Sequence, residues 1–206
     1  MNPLNSIKGV WILGIILAVI LAMVVNLEAG IGWLNFDHSE FWRWAHVIAG
    51  IIWIGLLYYF NFVQIPAVAE AGSEAAAINK YVAPKALLWF RWAAVATWVT
   101  GAIYLLINGW FLGVFSFGFA GDAPSGYAVP MGIGVWLGTI MAINVWALIW
   151  PNQKKVLGMV EASDEEKASA KFIAKMASRT NVVLSIPMLL FMVAARHGQS
   201  LDFLAL

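Results

Sequence analysis

Residues 41–62 read FWRWAHVIAGIIWIGLLYYFNF, and only Arg43 and His46 in this run can carry charge near neutral pH. At about 1.5 Å of rise per residue, some 20 such residues cross the roughly 30 Å hydrocarbon core of a bilayer. Four more stretches of the same kind follow or precede it: Gly9–Leu27, Leu87–Ile107, Met131–Trp150 and Thr180–His197. A backbone in lipid must satisfy its own hydrogen bonds, so each is expected to be a helix, and too few strand-like segments exist for a barrel. The expected fold class is therefore an all-α integral membrane protein. Five transmembrane helices would form one domain over residues 1–206, with a polar loop at 152–178.

The rest of the chain agrees with that frame. It is 62% hydrophobic and 11% charged, with a mean hydropathy of +0.81, whereas soluble domains carry about 25% charged residues. Twelve Trp suit membrane–water interfaces and bundle packing alike. No basic run exists to grip phosphate, so nucleic acid is not an expected partner. The absence of cysteine excludes disulfides, thiolate metal sites and a covalently attached c-type haem. The first apolar stretch is too long for the core of a signal peptide, and Leu27-Glu28-Ala29 lacks a small residue three back from a cut, so it is read as a retained span.

Cation placement sets the expected orientation. Every Lys and Arg except Arg43 and Arg196 lies before the first span, around the loop between the second and third, or in the loop between the fourth and fifth. That puts the amino terminus in the cytoplasm and the carboxyl terminus outside. Within the last loop, Ser163-Asp164-Glu165-Glu166 reads as a capping box opening a short surface helix that leads into the fifth span.

An ionisable group inside a span is costly and marks a functional site by default. His46 lies about 7–8 Å inside the outer end of the second span, and His197 closes the fifth at the same end. Two imidazoles on different helices at one level suit a six-coordinate b-type haem, each ring nitrogen binding iron from one face. Gly50, four residues after His46, clears side-chain bulk from the same face. Arg43 and Arg196 are the two cations on that side and would meet the haem propionates. The candidate cofactor-binding residues are thus His46, His197, Arg43, Arg196 and Gly50, with His46 and His197 as iron ligands. A plainer reading stands beside this one. His46 would donate to a carbonyl of a neighbouring helix, His197 would be a solvated helix end, and the two arginines would snorkel. His38, in the outer loop, reads as a solvated side chain before a spare ligand, and Met176, Met188 and Met192 read as gap-fillers before ligands. Gly134-x-x-x-Gly138 is a small-residue face for helix packing, Pro187 a kink, and Asn144, Asn181, Ser185, Thr97 and Thr100 interhelical hydrogen bonders. Asn61 and Gln64 suit a quinone head group, but nothing else in the sequence joins them. No hydrolytic triad, phosphate loop or carboxylate pair is present.

Several blocks go beyond composition. Trp44 through Gly55 with Tyr58-Tyr59-Phe60, Leu88 through Trp92 with Thr97 through Gly101, Asn144-Val145-Trp146, Trp150 through Lys155, and Ser178 through Asn181 with Leu184 through His197 resemble, in order and spacing, the amino-terminal membrane domain of bacterial cytochrome-linked urate hydroxylases. The resemblance implies a helical domain of the bacterial inner membrane that passes substrate electrons to a c-type cytochrome. It also places His46 and His197 on motif histidines. Thr180 and Leu88 stand where the family pattern has histidine, and Ala93 where it has an acid. The cytochrome domain itself is not in this sequence. The expectation is a membrane electron-transfer subunit holding haem b between the second and fifth spans, in contact with lipid and with other membrane subunits or a c-type cytochrome. A non-catalytic accessory subunit and urate or purine oxidation are the alternatives.

Overall fold

The computed structural model describes residues 2–28 and 37–197, without the side chains of Arg196 and His197. Among the described residues there is helix and no strand, and five helices are long and apolar enough to cross a membrane. They are α1 (Ile7–Glu28), α2 (His38–Tyr59), α3 (Ala83–Ile107), α4 (Ala128–Asn144) and α5 (Asp164–His197). Chain contacts divide the protein into two compact units, Met1–Phe41 and Trp42–Leu206. In the first, α1 is apolar all round, none of its residues is buried, and its mean hydropathy over the best window reaches 2.8.

The second unit holds the core. Phe90, Leu57, Met141 and Val145, from α2, α3 and the α4 region, are essentially inaccessible. Its outer surface is apolar as well: Ile51, Val183 and Ile186 are each more than half exposed. Polar groups sit inside instead, with Asn181 and Ser185 at 0% exposure. Burying amides while exposing branched aliphatics inverts the preference of a soluble domain and is the pattern a lipid solvent would favour.

The helices run past the apolar stretches. α2 continues through a π-helical turn at Phe60–Gln64 into Ile65–Glu70, and α4 through a second at Val145–Ile149 into Trp150–Val156. The expected short surface helix is the first part of α5, with no break before the span. It opens on the capping box: Ser163 N donates to Glu166 Oε2 (2.8 Å) and Glu166 N to Ser163 Oγ (3.2 Å). Ala170, Ala174 and Ala177, at i, i+4 and i+7, form the buried stripe of that part. At Gly134 α4 packs close against α5, for a Cβ there would lie 3.1 Å from Met192 Cγ and 3.3 Å from its backbone N. The small-residue face therefore does what its spacing implied, and Met188 and Met192 fill the space opposite it.

Candidate functional site

Between α2, α3, α4 and α5 lies a cavity of about 920 Å³, within the size of small-molecule sites. It sits at the end of the bundle where α2 begins, α3 ends and α4 begins. Its wall is largely aromatic and aliphatic, with Trp53 and Tyr58 from α2, Tyr104 from α3, and Trp110 and Tyr127 from the connection to α4. The Trp110 ring lies tilted 5.2 Å from Tyr127 and edge-on 6.2 Å from Tyr104, ring centre to ring centre, and so ties the connection to α3. Burial, with Tyr104 adding to it, pushes the Tyr127 phenol above its ordinary range, so it faces the cavity as a neutral hydroxyl.

Of the residues singled out from sequence, His46, Arg43 and Gly50 all line this cavity. The side chains of His197 and Arg196 lie outside the described residues, so the expected pairing of the two imidazoles has one partner in view. The end of α5 does reach the cavity, through Met192, Val193 and Ala195. Met188 and Met192 contribute to the wall; Met176 does not. His38 begins α2 and is not among the lining residues. No group of three or more His, Asp and Glu suited to a metal ion occurs among the described residues.

His46 is held in one orientation. Its Nδ1 is 2.7 Å from the Thr97 carbonyl of α3; a carbonyl only accepts, so Nδ1 carries the proton and donates. The acceptor's position in α3 explains why the ring can reach it. In an α-helix the Thr97 carbonyl also receives the N–H of residue 101, and that residue is Gly101. A Cβ there would stand 2.8 Å from Nδ1 and 2.9 Å from Cε1 of His46, inside any tolerable contact. Thr97-x-x-x-Gly101 is therefore a receptor for the imidazole, carbonyl and clearance together. Sequence reasoning missed this function of Gly101, although the four-residue spacing from Thr97 was there to find. Fixing Nδ1–H on a carbonyl leaves the lone pair on Nε2, the arrangement that carbonyl-anchored metal-binding histidines share.

A second polar cluster lies toward the opposite end. Asn61 Nδ2 donates to Leu57 O and to Ser178 Oγ, both at 2.8 Å. Asn144 Nδ2 donates to Asn181 Oδ1 (2.9 Å) and Ala177 O (3.2 Å), and Asn181 Nδ2 to Met141 O (3.1 Å). Asn61 and Asn144 each sit at the start of a π-helical turn, a feature that recurs at functional sites. Asn144 and Asn181 thus are the interhelical bonders that the sequence suggested.

Fold and cavity define a class: a bundle of candidate membrane spans enclosing an apolar, histidine-bearing cavity. Residues 110–202 match the family model described as urate oxidase N-terminal, and the match supports the family on which the sequence motifs converge. It covers the connection to α4, α4 itself and α5; His46 and the Thr97–Gly101 receptor lie before it. Comparison with curated proteins and with solved structures gave no match.

Proposed function

We propose that the protein is a membrane electron-transfer subunit that holds one b-type haem in the His46 cavity and exchanges electrons with a c-type cytochrome or a larger oxidoreductase. One observation carries the reading: a rigidly seated imidazole, proton on Nδ1, at the wall of an apolar cavity large enough for a macrocycle. The described residues fit such a group on one face. His46 would hold such a group through Nε2, Gly50 shares the same wall, and Arg43 would pair with a propionate. His197 would be the second ligand and Arg196 a second propionate partner, as the sequence suggests. Bound there, haem would supply a one-electron couple. The chain's own contribution is to fix the imidazole through Thr97 and Gly101, to line the cavity with aromatic walls, and to pair charge through Arg43.

The placement that goes with this reading is multi-pass in a bacterial inner membrane. The amino terminus and the 152–178 loop are cytoplasmic, and the cavity lies near the outer face. The cation distribution and the apolar exterior support it. The whole chain then acts as one transmembrane domain, and other membrane subunits are its natural neighbours.

An absorption spectrum of the detergent-purified protein tests the cofactor. The expected result is a sharp reduced-minus-oxidised α band of the b type, abolished in His46→Ala and in His197→Ala. A colourless, folded preparation overturns it. The accessory-subunit reading then stands, favoured by the Thr97 contact as a purely structural role for His46. Urate oxidation, suggested by the family, requires urate consumption by the same preparation.

A further inference from the structure

Four buried polar atoms in the bundle have no hydrogen-bond partner among the described residues: Trp53 Nε1, Asn61 Oδ1, Gln64 Oε1 and Trp146 Nε1. Two are donors and two acceptors, on α2, its π-helical turn, and the π-helical turn after α4. Native interiors seldom leave such groups unsatisfied, and the usual remedy is internal water, which both donates and accepts. The Asn61 orientation is not arbitrary. Its Nδ2 is committed to the Leu57 carbonyl, which only accepts, so Oδ1 must be the unsatisfied atom.

Asn61 adjoins a polar seam on α5, and Trp53 lines the cavity at which that seam ends. Ser178, Asn181 and Ser185 recur at i, i+3 and i+7 on one face of α5 and are 7%, 0% and 0% exposed. At one end, Ser178 meets Asn61, and Gln64 lies three residues further along the π-helical turn, just before Ile65–Glu70 leads to the exposed Glu70. At the other, Ser185 Oγ donates to Val182 O (2.7 Å) and so accepts the proton of Tyr58, 3.0 Å away. Tyr58 in turn lines the His46 cavity.

We infer that this seam is a water-access path joining the His46 cavity to the opposite, Lys- and Arg-rich end of the bundle, with Asn61, Gln64, Ser178, Asn181, Ser185 and Tyr58 as its wall. Its ligand is water, not a lipid-phase head group: the unsatisfied atoms are scattered singly among packed side chains and want both donors and acceptors. Proton exchange between the Tyr58 hydroxyl and that end follows along the path. Each hydroxyl or water takes one proton and releases one, so every group keeps its charge. The inference needs the membrane reading but not the haem.

The absence of cysteine makes the test direct. Ser178→Cys and Ser185→Cys, near-isosteric changes in the full chain in detergent, are exposed to silver ion, which is small, hydrophilic and thiolate-seeking. Unreacted thiol is then counted after unfolding. Glu161→Cys on an exposed loop and Val183→Cys on the lipid-facing side of α5 set the fast and slow limits. Expected is rapid reaction at 178, measurable reaction at 185, and slowing at 185 by about tenfold or more when Asn61→Leu makes the entrance apolar. Cys at 178 and 185 as inert as Cys at 183 overturns the path. Reaction at 185 that ignores Asn61→Leu overturns it too, since access would come through the cavity alone. A colourless preparation that still shows the Asn61-dependent reaction sinks the haem and keeps the path.

Discussion

The two ends of the four-helix unit solve the problem of a buried polar group in opposite ways. At the cavity end one imidazole is seated by subtraction: Gly101 removes a side chain, and a single bond to Thr97 O fixes the ring beside open space. At the other end Asn61, Asn144 and Asn181 are held by addition, bonded across helices. Cavity and clearance point to a ligand; an amide network points to helix association and register. Perturbing the first should change what the protein binds, and perturbing the second how firmly it holds together.

The largest expected effect is at Gly101. In Gly101→Val the new Cβ and methyls occupy the place of the His46 ring, which must leave the Thr97 carbonyl and swing into the cavity. Overpacking of this kind costs about 1–3 kcal/mol. The more telling result is qualitative: the b-type α band should vanish as fully as in His46→Ala. A Gly101→Val protein with an unchanged spectrum would separate the imidazole's seat from the cofactor and break the contrast between the two ends.

Asn181→Leu should do the reverse. It removes two hydrogen bonds, to Asn144 and from Asn181 to Met141 O. Such interhelical bonds in membrane proteins contribute about 0.6 kcal/mol on average and up to about 1.7, so a loss of about 1–2 kcal/mol is expected. Unfolding in mixed micelles should report it, while the spectrum stays as in the parent. If the spectrum shifts and stability does not, the network serves the cavity, and the distinction drawn above is wrong.

Sequence reached much of this arrangement and stopped at recognisable places. The five long apolar helices were legible because apolar runs of that length stand out in a sequence, and the Ser163–Glu166 box because capping chemistry is local. Gly134-x-x-x-Gly138 was legible because close helix approach needs small residues at that spacing. The π-helical turns were not, since nothing in Phe60–Gln64 or Val145–Ile149 distinguishes a five-residue turn from an α-helical one. Nor was the His46–Thr97 pairing, which depends on how α2 and α3 align across 51 positions. Periodicity ranks a face as buried without saying which carbonyl it meets. Asn61 stood out in the sequence, but its partner Ser178 could be joined to it only by the fold.

The smallest effect belongs to a site remote from both ends' chemistry. Ser163→Ala removes the hydroxyl that caps Glu166 N and leaves the Glu166 carboxylate on the residue-163 backbone N–H alone. The Lys155–Glu166 pair, at 3.9 Å with both side chains substantially exposed, is too screened to compensate. Losing an N-cap costs about 0.5–1 kcal/mol in exposed helices, and the loss should be local. Hydrogen exchange should quicken in the first turn of α5, at residues 164–167, with thermal unfolding barely moved and the absorption spectrum unaltered. The reason is geometric. The alanine stripe at 170, 174 and 177 anchors the helix one turn further on, so fraying should stop there. Exchange that quickens as far as Ser178 would instead mean that the cap, and not the alanine packing, holds the start of α5 against Trp150–Val156. In that case the amide network at Asn181 would inherit its register from a surface turn.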